Sequence, residues 1–177
     1  MQKEKENKPA KAGPIRSRLS KKRGAKMLSC IDVAKYFLAL TDLDAGDLIS
    51  NLKLQKLLYY AQGFHLALFD EPIFPERIMA WIHGPVVPDA YRHYKEYGAN
   101  SIPVPRDIDL DNYDLRATEL LDEVFRVFGQ FSAWKLRNMT HEEPPWRDAA
   151  PTKGEITPEA MRTYFKTQLM NDSPNQN

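Results

Sequence analysis

The sequence contains one cysteine, Cys30, among 177 residues. A single cysteine excludes an intramolecular disulfide and a zinc site built from cysteines. Its apolar neighbours Ile31, Val33 and Ala34 favour a small buried side chain over a reactive thiol. No apolar run approaches the roughly eighteen residues that a membrane helix needs, and the lysine-rich start lacks the apolar core of a secretory signal. We therefore expect a cytoplasmic protein without a membrane partner.

Motifs for catalysis and metal binding are also scarce. The stretch LRNMTHEEPPWRDA, residues 136–149, begins like a metalloprotease motif at His141, but Pro145 stands where the second histidine is needed. With four histidines in the chain, a metal site would need ligands from distant segments. Neither a serine on a glycine-flanked turn nor a glycine-rich phosphate loop is present. These absences predict no enzyme, no metal and no cofactor; a hydrolase using His83 and His141 is the least favoured alternative.

Charge divides the chain into two unequal parts. Residues 1–26 hold ten Lys or Arg against Glu4 and Glu6, a balance of +8, which leaves −7 for the rest. Because this segment has little to bury, we expect a disordered basic arm that binds nucleic acid or an acidic protein surface. The alternatives are a solvated tail, or an upstream start codon with Met27 as the usual first residue. The polar stretch 171–177, NDSPNQN, predicts a second disordered tail.

Helical patterns fill most of the chain between these tails. Ser29 and Asp32 form a capping-box pattern ahead of a first helix. The strongest helix is NLKLQKLLYYAQGFHLALF, residues 51–69, which follows a cap at Ser50 or Asn51. Its apolar face is made of positions at three- and four-residue spacing: Leu54, Leu57, Leu58, Ala61 and Leu68.

The other face of this helix carries Lys53, Lys56, Tyr60 and Gly63. Two cations, an aromatic ring and a glycine that permits close approach are typical of a contact surface for a partner. In the alternative interpretation, the two lysines are solvated and Gly63 is a helix–helix packing point.

A short β segment interrupts the helices. Ile78, Ala80 and Ile82 alternate with Met79, Trp81 and His83, which predicts a strand with one face on the core. Ile73 and Phe74, between two prolines, could supply the second strand of a small hairpin. A helix then begins at Val87 or Pro88 and ends at Gly98.

Helical patterns return after a proline- and aspartate-rich loop. Residues 115–128 predict a helix ended by Gly129, with an Asp122–Arg126 pair on its outer face. Ser132 caps a short helix that ends near Asn138. Pro144 and Pro145 are expected to forbid further helix and to direct Trp146 to the core. A last helix begins at Thr157 and Pro158.

The sequence therefore predicts a mainly α, compact, single-domain fold over residues 27–170, with a small β-hairpin insertion. In it, the stretch 136–149 is interpreted as architecture. His141 is expected to bond a buried carbonyl, with contact to a partner as the alternative. Structural roles are assigned to five residues: Gly84, Pro85, Thr140, Pro145 and Trp146.

Four motifs together carry a family resemblance. KLQKLLYYAQGFHLAL, AWIHGPVVPDAYRHYKEYG, THEEPPW and GEITPEAMRTYF, in this order between about Met27 and Leu169, resemble the Panacea domain family of SocA-like antitoxins and phage-associated GepA-type proteins. The resemblance implies an antitoxin of a toxin–antitoxin pair, often carried by prophages and linked to phage defence, which neutralises a cognate protein toxin by direct contact. It also implies a compact, mainly helical fold without catalytic activity. The basic arm, residues 1–26, is not part of the family pattern.

An antitoxin of this kind needs a rigid body and one exposed surface rich in rings and cations. The expected partner is a toxin encoded by a neighbouring gene, in a heteromeric complex, with a homo-oligomer as a further possibility. Regulation of its own operon by nucleic-acid binding through the arm is the alternative function. Eight residues are predicted to contact the partner: Lys53, Lys56, Tyr60, Trp81, His83, Tyr91, Tyr94 and His141.

Overall fold

The computed structural model describes residues 26–171. The predicted basic arm, apart from Lys26, and the predicted C-terminal tail, apart from Asn171, lie outside the described residues. Within this range the chain forms seven α-helices and one small sheet, which confirms the predicted mainly α class with a small β insertion. The helices are α1 (Cys30–Ala39), α2 (Asn51–Phe69), α3 (Pro88–Tyr94), α4 (Leu115–Phe128), α5 (Ala133–Glu142), α6 (Pro144–Ala149) and α7 (Pro158–Asn171). The strands are β1 (Ile78–Trp81), β2 (Gly84–Val86) and β3 (Glu155–Ile156).

Side-chain caps begin several helices where the sequence predicts them. The Ser29 hydroxyl accepts a hydrogen bond from Asp32 N, and the Asp32 carboxylate accepts one from Ser29 N, which completes the capping box of α1. Ser50 and Ser132 cap α2 and α5 through their hydroxyls. Helix α4 ends at Gly129. Each cap satisfies a backbone N–H that the first helical turn leaves without a partner.

Helix α2 lies at the centre of the structure. It packs against α1, α3, α4, α5, α7 and β2, and 16 of its 19 residues are buried. A Cβ added at Gly63 would lie 2.2 Å from the ring of Phe165 in α7, so the packing interpretation of Gly63 is confirmed. Lys53 and Lys56 are buried as well. Both interpretations that placed these two amines at the surface are wrong.

The buried lysines of α2 bind backbone carbonyls of distant segments. Lys53 Nζ donates to Gly129 O at 2.6 Å, at the C-terminal end of α4, where a helix carries partial negative charge. Lys56 Nζ donates to Pro85 O at 3.1 Å. Burial lowers the pKa of Lys53, and burial together with the charge of Arg137 lowers the pKa of Lys56 to about 7. Each of the two amines therefore holds a distant backbone segment against α2.

Glutamines of α2 hold the loops around the helix in the same way. Gln62 accepts a hydrogen bond from Ile73 N at 2.8 Å and donates one to Phe74 O at 2.9 Å. Gln55 accepts one from Val87 N at 2.9 Å, just before α3. These amides satisfy backbone groups that would otherwise be buried without partners. They fix both the segment before β1 and the start of α3.

The sheet is antiparallel, with β1 between β2 and β3. The predicted hairpin exists, but Ile73 and Phe74 do not supply its second strand, since Gln62 already binds their backbone. Met79 instead pairs with Val86 in β2. The third strand, β3, was not predicted. Ile82, expected on the core face, lies in the turn after β1 and is 76% exposed.

Helices α5 and α6 meet at a sharp bend. The predicted end of α5 near Asn138 is wrong, because the helix continues to Glu142. The expectation that Pro144 and Pro145 forbid helix is also wrong, because both lie in the first turn of α6. The first turn needs no backbone N–H donors, so it tolerates proline. Glu143, before the prolines, takes the extended conformation that proline imposes on its predecessor.

The expected Asp122–Arg126 pair on α4 is not formed. Arg126 binds Glu123 through two hydrogen bonds of 2.7 and 2.5 Å. Asp122 accepts a hydrogen bond from the Tyr36 hydroxyl of α1 at 2.9 Å. Asp122 is thus bound by a neighbouring helix, and Arg126 pairs along α4 with Glu123 instead.

Candidate partner-binding surface

Aromatic side chains from the β1–β2 region, α3, α5 and α6 form one connected surface. The rings of Trp81 and Tyr91 have centroids 5.0 Å apart, and those of His83 and Trp134 are 6.0 Å apart. The Trp146 indole donates a hydrogen bond to Trp81 O at 2.9 Å, which joins α6 to β1. We call the following residues the aromatic surface: Trp81, Ile82, His83, Tyr91, Trp134, Arg137, His141 and Trp146.

Large apolar side chains of this surface are exposed. Ile82 is 76% exposed, Trp134 56% and Tyr91 38%, while Trp81 and Trp146 are half-buried. Single exposed apolar residues are ordinary, but a connected group of them is typical of a binding site.

One face of α5 supplies three members of the aromatic surface. Trp134, Arg137 and His141 follow each other at spacings of three and four residues, which places them on the same side of the helix. The Arg137 guanidinium lies 5.2 Å from the centroid of the Trp134 ring, a cation–π arrangement. The His141 ring stacks on Trp146 with centroids 3.7 Å apart and planes inclined by 15°. These contacts hold the rings in fixed orientations.

An open pocket of about 650 Å³ lies within the aromatic surface. This volume is in the range of pockets that hold small ligands or a few side chains. Its walls contain two cations, a histidine, two tryptophans and three aliphatic residues, with no Asp or Glu among them. The lining residues are Ala80, Trp81, Ile82, Arg137, His141, Trp146, Ala150 and Lys153.

A tightly packed base supports the surface. Gly84 has φ +102°, and a Cβ added there would lie 2.6 Å from Lys56 Cε and 2.8 Å from Thr140 Oγ1. The Thr140 hydroxyl donates to Arg137 O at 2.8 Å, and the Lys56 amine binds Pro85 O. Strand β2 is therefore held closely against α2 and α5. The aromatic side chains extend from a rigid support and not from a loop.

His141 does not form the hydrogen bond expected from the sequence. Its Nε2 is buried and has no partner among the described residues, and the ring stacks on Trp146. Burial, followed by the positive charges of Arg137, Lys56 and His83, lowers the pKa of His141. The imidazole is therefore neutral at neutral pH.

A buried carboxylate lies at the bend between α5 and α6. Glu143 Oε1 accepts a hydrogen bond from the Tyr60 hydroxyl at 2.8 Å, whereas Oε2 is buried without a partner among the described residues. Burial raises the pKa of Glu143 to about 7, against the opposing effect of the Tyr59 and Tyr60 hydroxyls. The Tyr60 ring stacks on Phe128 of α4 at 3.8 Å. The carboxylate thus joins the bend to the central helix and is half protonated near neutral pH.

We expect Glu143→Gln to become more stable relative to the wild type as pH rises. The folded protein binds a proton at Glu143 between the ordinary pKa of 4.5 and about 7. The contribution of Glu143 to the free energy of unfolding is therefore full below pH 4.5 and is lost as pH rises through 7. Glutamine stays neutral and keeps the acceptor for Tyr60, so the difference between variant and wild type should grow by about 3 kcal/mol across this window. Urea unfolding at several pH values between 4 and 8 measures it.

Glu142→Gln is the matched control, since Glu142 is the exposed neighbour of Glu143. The plot of its free energy of unfolding against pH should run parallel to that of the wild type. Taking the difference between variant and wild type removes the contribution of His65 and His141, whose lowered pKa values have the opposite effect on stability. Parallel curves for Glu143→Gln and wild type would show that the carboxylate is already ionised in the folded state.

The structure separates the eight residues predicted to contact a partner into two groups. Four lie in the aromatic surface: Trp81, His83, Tyr91 and His141. The other four are buried, with exposures of 9% or less: Lys53, Lys56, Tyr60 and Tyr94. The placement of Lys53, Lys56 and Tyr60 on an outer face of α2 is corrected, because these side chains pack within the fold. Tyr94, selected only as a ring, is buried as well. For the first four, contact with a partner stays a prediction.

Three members of the aromatic surface were not predicted: Ile82, Trp134 and Arg137. The spacing of Trp134, Arg137 and His141 is a helical signal, but it requires one helix that extends past Asn138. Because the sequence pattern was interpreted as ending there, the shared face was missed. Ile82 was assigned to the core by its alternation with Met79 and Trp81.

The residues assigned structural roles lie beneath or beside this surface. Gly84, Pro85 and Thr140 belong to its base. Pro145 is buried in the first turn of α6. Trp146 both binds Trp81 O and lines the pocket, so it joins the support to the exposed rings.

The one thiol of the chain is shielded from solvent. Cys30 is fully buried, as predicted, and burial together with the Glu76 carboxylate raises the pKa of its thiol to about 12. Within residues 26–171, no three His, Cys, Asp or Glu side chains are placed to hold a metal ion. None of the helices described here combines the length and hydropathy needed to cross a membrane.

Comparison with known proteins identifies the family. A family model described as "Antitoxin SocA-like, Panacea domain" matches residues 54–147, which include the whole aromatic surface. Antitoxin SocA of Caulobacter vibrioides (strain NA1000 / CB15N) is 32% identical over 116 residues, covering 55% of this chain, and the chain spans 58% of that protein's length. No solved structure matches. Because the family model covers more than half of the sequence, this chain belongs to the SocA-like Panacea domain family.

Proposed function

We propose that this protein is an antitoxin that neutralises a toxin, encoded by a neighbouring gene, through direct protein contact. Membership in a family described as antitoxin-like supports the general role, as does the similarity to a protein named Antitoxin SocA. Direct contact is supported by the aromatic surface. A protein that acts by occupying another molecule needs no catalytic group, only an exposed and well-ordered patch.

The placement of the tryptophans is the observation that carries this proposal. The chain has three tryptophans, and all of them belong to the aromatic surface: Trp81, Trp134 and Trp146. None is fully buried. Tryptophan, tyrosine and arginine are the residues that contribute most to protein–protein affinity, and this surface also holds Tyr91 and Arg137.

The rigid base favours tight binding. Association costs free energy when side chains and loops must be ordered at an interface, about 0.5 to 1.5 kcal/mol for each mobile side chain. Here His141 is stacked on Trp146, and Arg137 is placed over Trp134. Much of this ordering is complete before a partner arrives. The surface is therefore prepared for a partner of complementary shape.

Expression of the neighbouring gene tests the proposal. We expect its product to arrest growth when expressed alone and to be harmless when the full chain is expressed with it. The two proteins should then co-purify as one complex on size-exclusion chromatography. If the neighbouring gene's product still arrests growth when this chain is expressed with it, the antitoxin role is ruled out. If growth is restored but no complex is found, direct contact is ruled out.

Binding of nucleic acid is a second candidate function, favoured by the +8 balance of residues 1–26. If this arm contacts phosphates, association releases counterions and the affinity falls steeply with salt. We expect deletion of residues 2–26 to weaken binding to the DNA upstream of the gene and to flatten its salt dependence. Fluorescence anisotropy between 50 and 300 mM salt, roughly the range in which such slopes are resolved, measures both. Unchanged affinity after the deletion would exclude the arm from DNA binding.

A further inference from the structure

We propose that the pocket of the aromatic surface binds a carboxylate, supplied by an Asp or Glu side chain of the protein partner. This inference rests on the proposed function for the source of the carboxylate. The chemistry of the pocket itself is independent of it. Three features of the molecule support the proposal: the positive charge of the pocket walls, one arginine without a carboxylate partner among residues 26–171, and the contrast with a neighbouring groove.

The pocket walls are positive, although residues 27–177 taken together are negative. Residues 27–177 carry a balance of −7, yet the lining includes Arg137 and Lys153 and no acidic residue. The Lys56 amine lies behind the walls, close enough to Arg137 and His141 to lower the pKa of both Lys56 and His141. Burial is the larger cause of both shifts, and the Glu142 carboxylate opposes the one at His141. The remaining effect places the positive charges of Arg137 and Lys56 side by side at the pocket.

Arg137 is the half-buried arginine that has no carboxylate partner among the described residues. The other two half-buried arginines do have one: Arg116 lies 3.8 Å from Asp114, and Arg162 binds Glu159. Arg137 instead donates one hydrogen bond of 3.0 Å to Asn138, while its Nε is buried without a partner. A guanidinium offers five N–H donors in a planar fork that matches a carboxylate. An incoming carboxylate would fill this unmet capacity.

The apolar walls strengthen such an interaction. Trp81, Trp146 and Ile82 line the pocket with apolar surface, from which a docked segment would displace water. Charges attract each other more strongly where water is displaced, and hydrogen bonds between ionised groups are about twice as strong as neutral ones. The pocket therefore suits a carboxylate on an apolar segment better than a fully hydrated anion.

A second groove provides an internal contrast. It has a volume of about 810 Å³ and lies between α6, β3 and α7. Its lining includes Asp148, Glu155 and Glu159 and contains no Lys or Arg. Helix α6 contributes residues to both depressions, so it separates a positive pocket from a negative groove. An acidic side chain that docks beside α6 is directed to the pocket by charge alone.

The test uses two uncharged-backbone probes, N-acetyl-glutamate α-amide and N-acetyl-glutamine α-amide, which differ only in the side-chain carboxylate. NMR of the full chain follows the indole N–H signals of the three tryptophans and the imidazole of His141. We expect saturable shifts with the glutamate probe, and binding weaker by about tenfold or more in Arg137→Gln, which loses the charged donor. Arg147→Gln is the matched control, because Arg147 is an exposed arginine of α6 that does not line the pocket.

Equal responses to the two probes, or equal binding by wild type and Arg137→Gln, would overturn the inference. Because Arg137 lies over the Trp134 ring, the fold of Arg137→Gln is checked by the dispersion of its backbone amide signals without probe. If that variant does not fold, Arg137→Lys, which lacks the planar fork of donors, should bind the glutamate probe more weakly than the wild type, and equal binding would overturn the inference. In a parallel experiment, Arg137→Gln should weaken the complex with the neighbouring gene's product, and Arg147→Gln should not. If that product does not bind the wild type, the proposed function fails, whereas the probe titration still decides the chemistry of the pocket.

Discussion

Gly84→Ala is expected to lower the free energy of unfolding by about 3 to 5 kcal/mol, the sum of a backbone cost and a steric cost. Gly84 has φ +102°, a conformation that residues with a Cβ rarely adopt. The new methyl group would also lie 2.6 Å from Lys56 Cε and 2.8 Å from Thr140 Oγ1. Lys56 cannot move away cheaply, because it is fully buried and its amine holds Pro85 O. Chemical denaturation followed by tryptophan fluorescence measures the change.

Gly46→Ala separates the two causes. Gly46 also has a positive φ, +78°, but a Cβ there would meet nothing within 4 Å. This control should lose only the backbone cost, about 1 kcal/mol. Similar losses in the two variants would mean that β2 is not held closely against α2 and α5. The rigid base proposed for the aromatic surface would then be absent.

Local signals in the sequence predicted several helix ends, although not the end of α5 or the start of α6. The capping box of Ser29 and Asp32 and the end of α4 at Gly129 are confirmed. Such signals act within about one helical turn, so neighbouring residues contain all the information required. The buried thiol of Cys30 was predicted on the same basis, from its apolar neighbours.

The burial of the lysines could not be predicted in this way. Lys53 binds a carbonyl 76 residues away, and Lys56 binds one 29 residues away. Without these partners a lysine on a helix is expected to face solvent, since burial of an unpaired cation is costly. The position of the two carbonyls depends on the fold as a whole. A helix rich in charge and amide groups was therefore assigned an outer face, although it forms the centre of the structure.

The candidate site was predicted only in part, for a related reason. Trp81, His83, Tyr91 and His141 were selected because each is a ring that could face a partner, and all four lie in the aromatic surface. Their connection requires the close pairing of β1 and β2 and the bend between α5 and α6, neither of which follows from residue spacing. A proline can follow the end of one helix or lie in the first turn of another, and the sequence alone does not distinguish the two positions. Residues 144–145 lie in the first turn of α6.

Trp134→Ala is expected to weaken binding of the neighbouring gene's product by 30-fold or more, equivalent to about 2 kcal/mol. Co-expression of this variant should no longer relieve the growth arrest that the product causes. Trp134 is 56% exposed, so its removal should change the free energy of unfolding by only about 0.5 kcal/mol. Leu115→Ala is the matched control, because Leu115 is 68% exposed at the start of α4, outside the aromatic surface. Isothermal titration calorimetry with the purified proteins compares the two. If Trp134→Ala binds as tightly as Leu115→Ala, the partner does not use the aromatic surface.

A double variant extends this prediction to the pairing of Trp134 with Arg137. The indole supports the guanidinium at 5.2 Å, so part of the loss in Trp134→Ala should come from a less ordered Arg137. The combined variant Trp134→Ala, Arg137→Gln should then lose less binding free energy than the sum of the two single losses, by about 0.5 kcal/mol or more. Strict additivity would mean that the ring contacts the partner independently of the arginine. Incomplete additivity would show that the partner recognises the ring and the cation as one unit, which the geometry of α5 predicts.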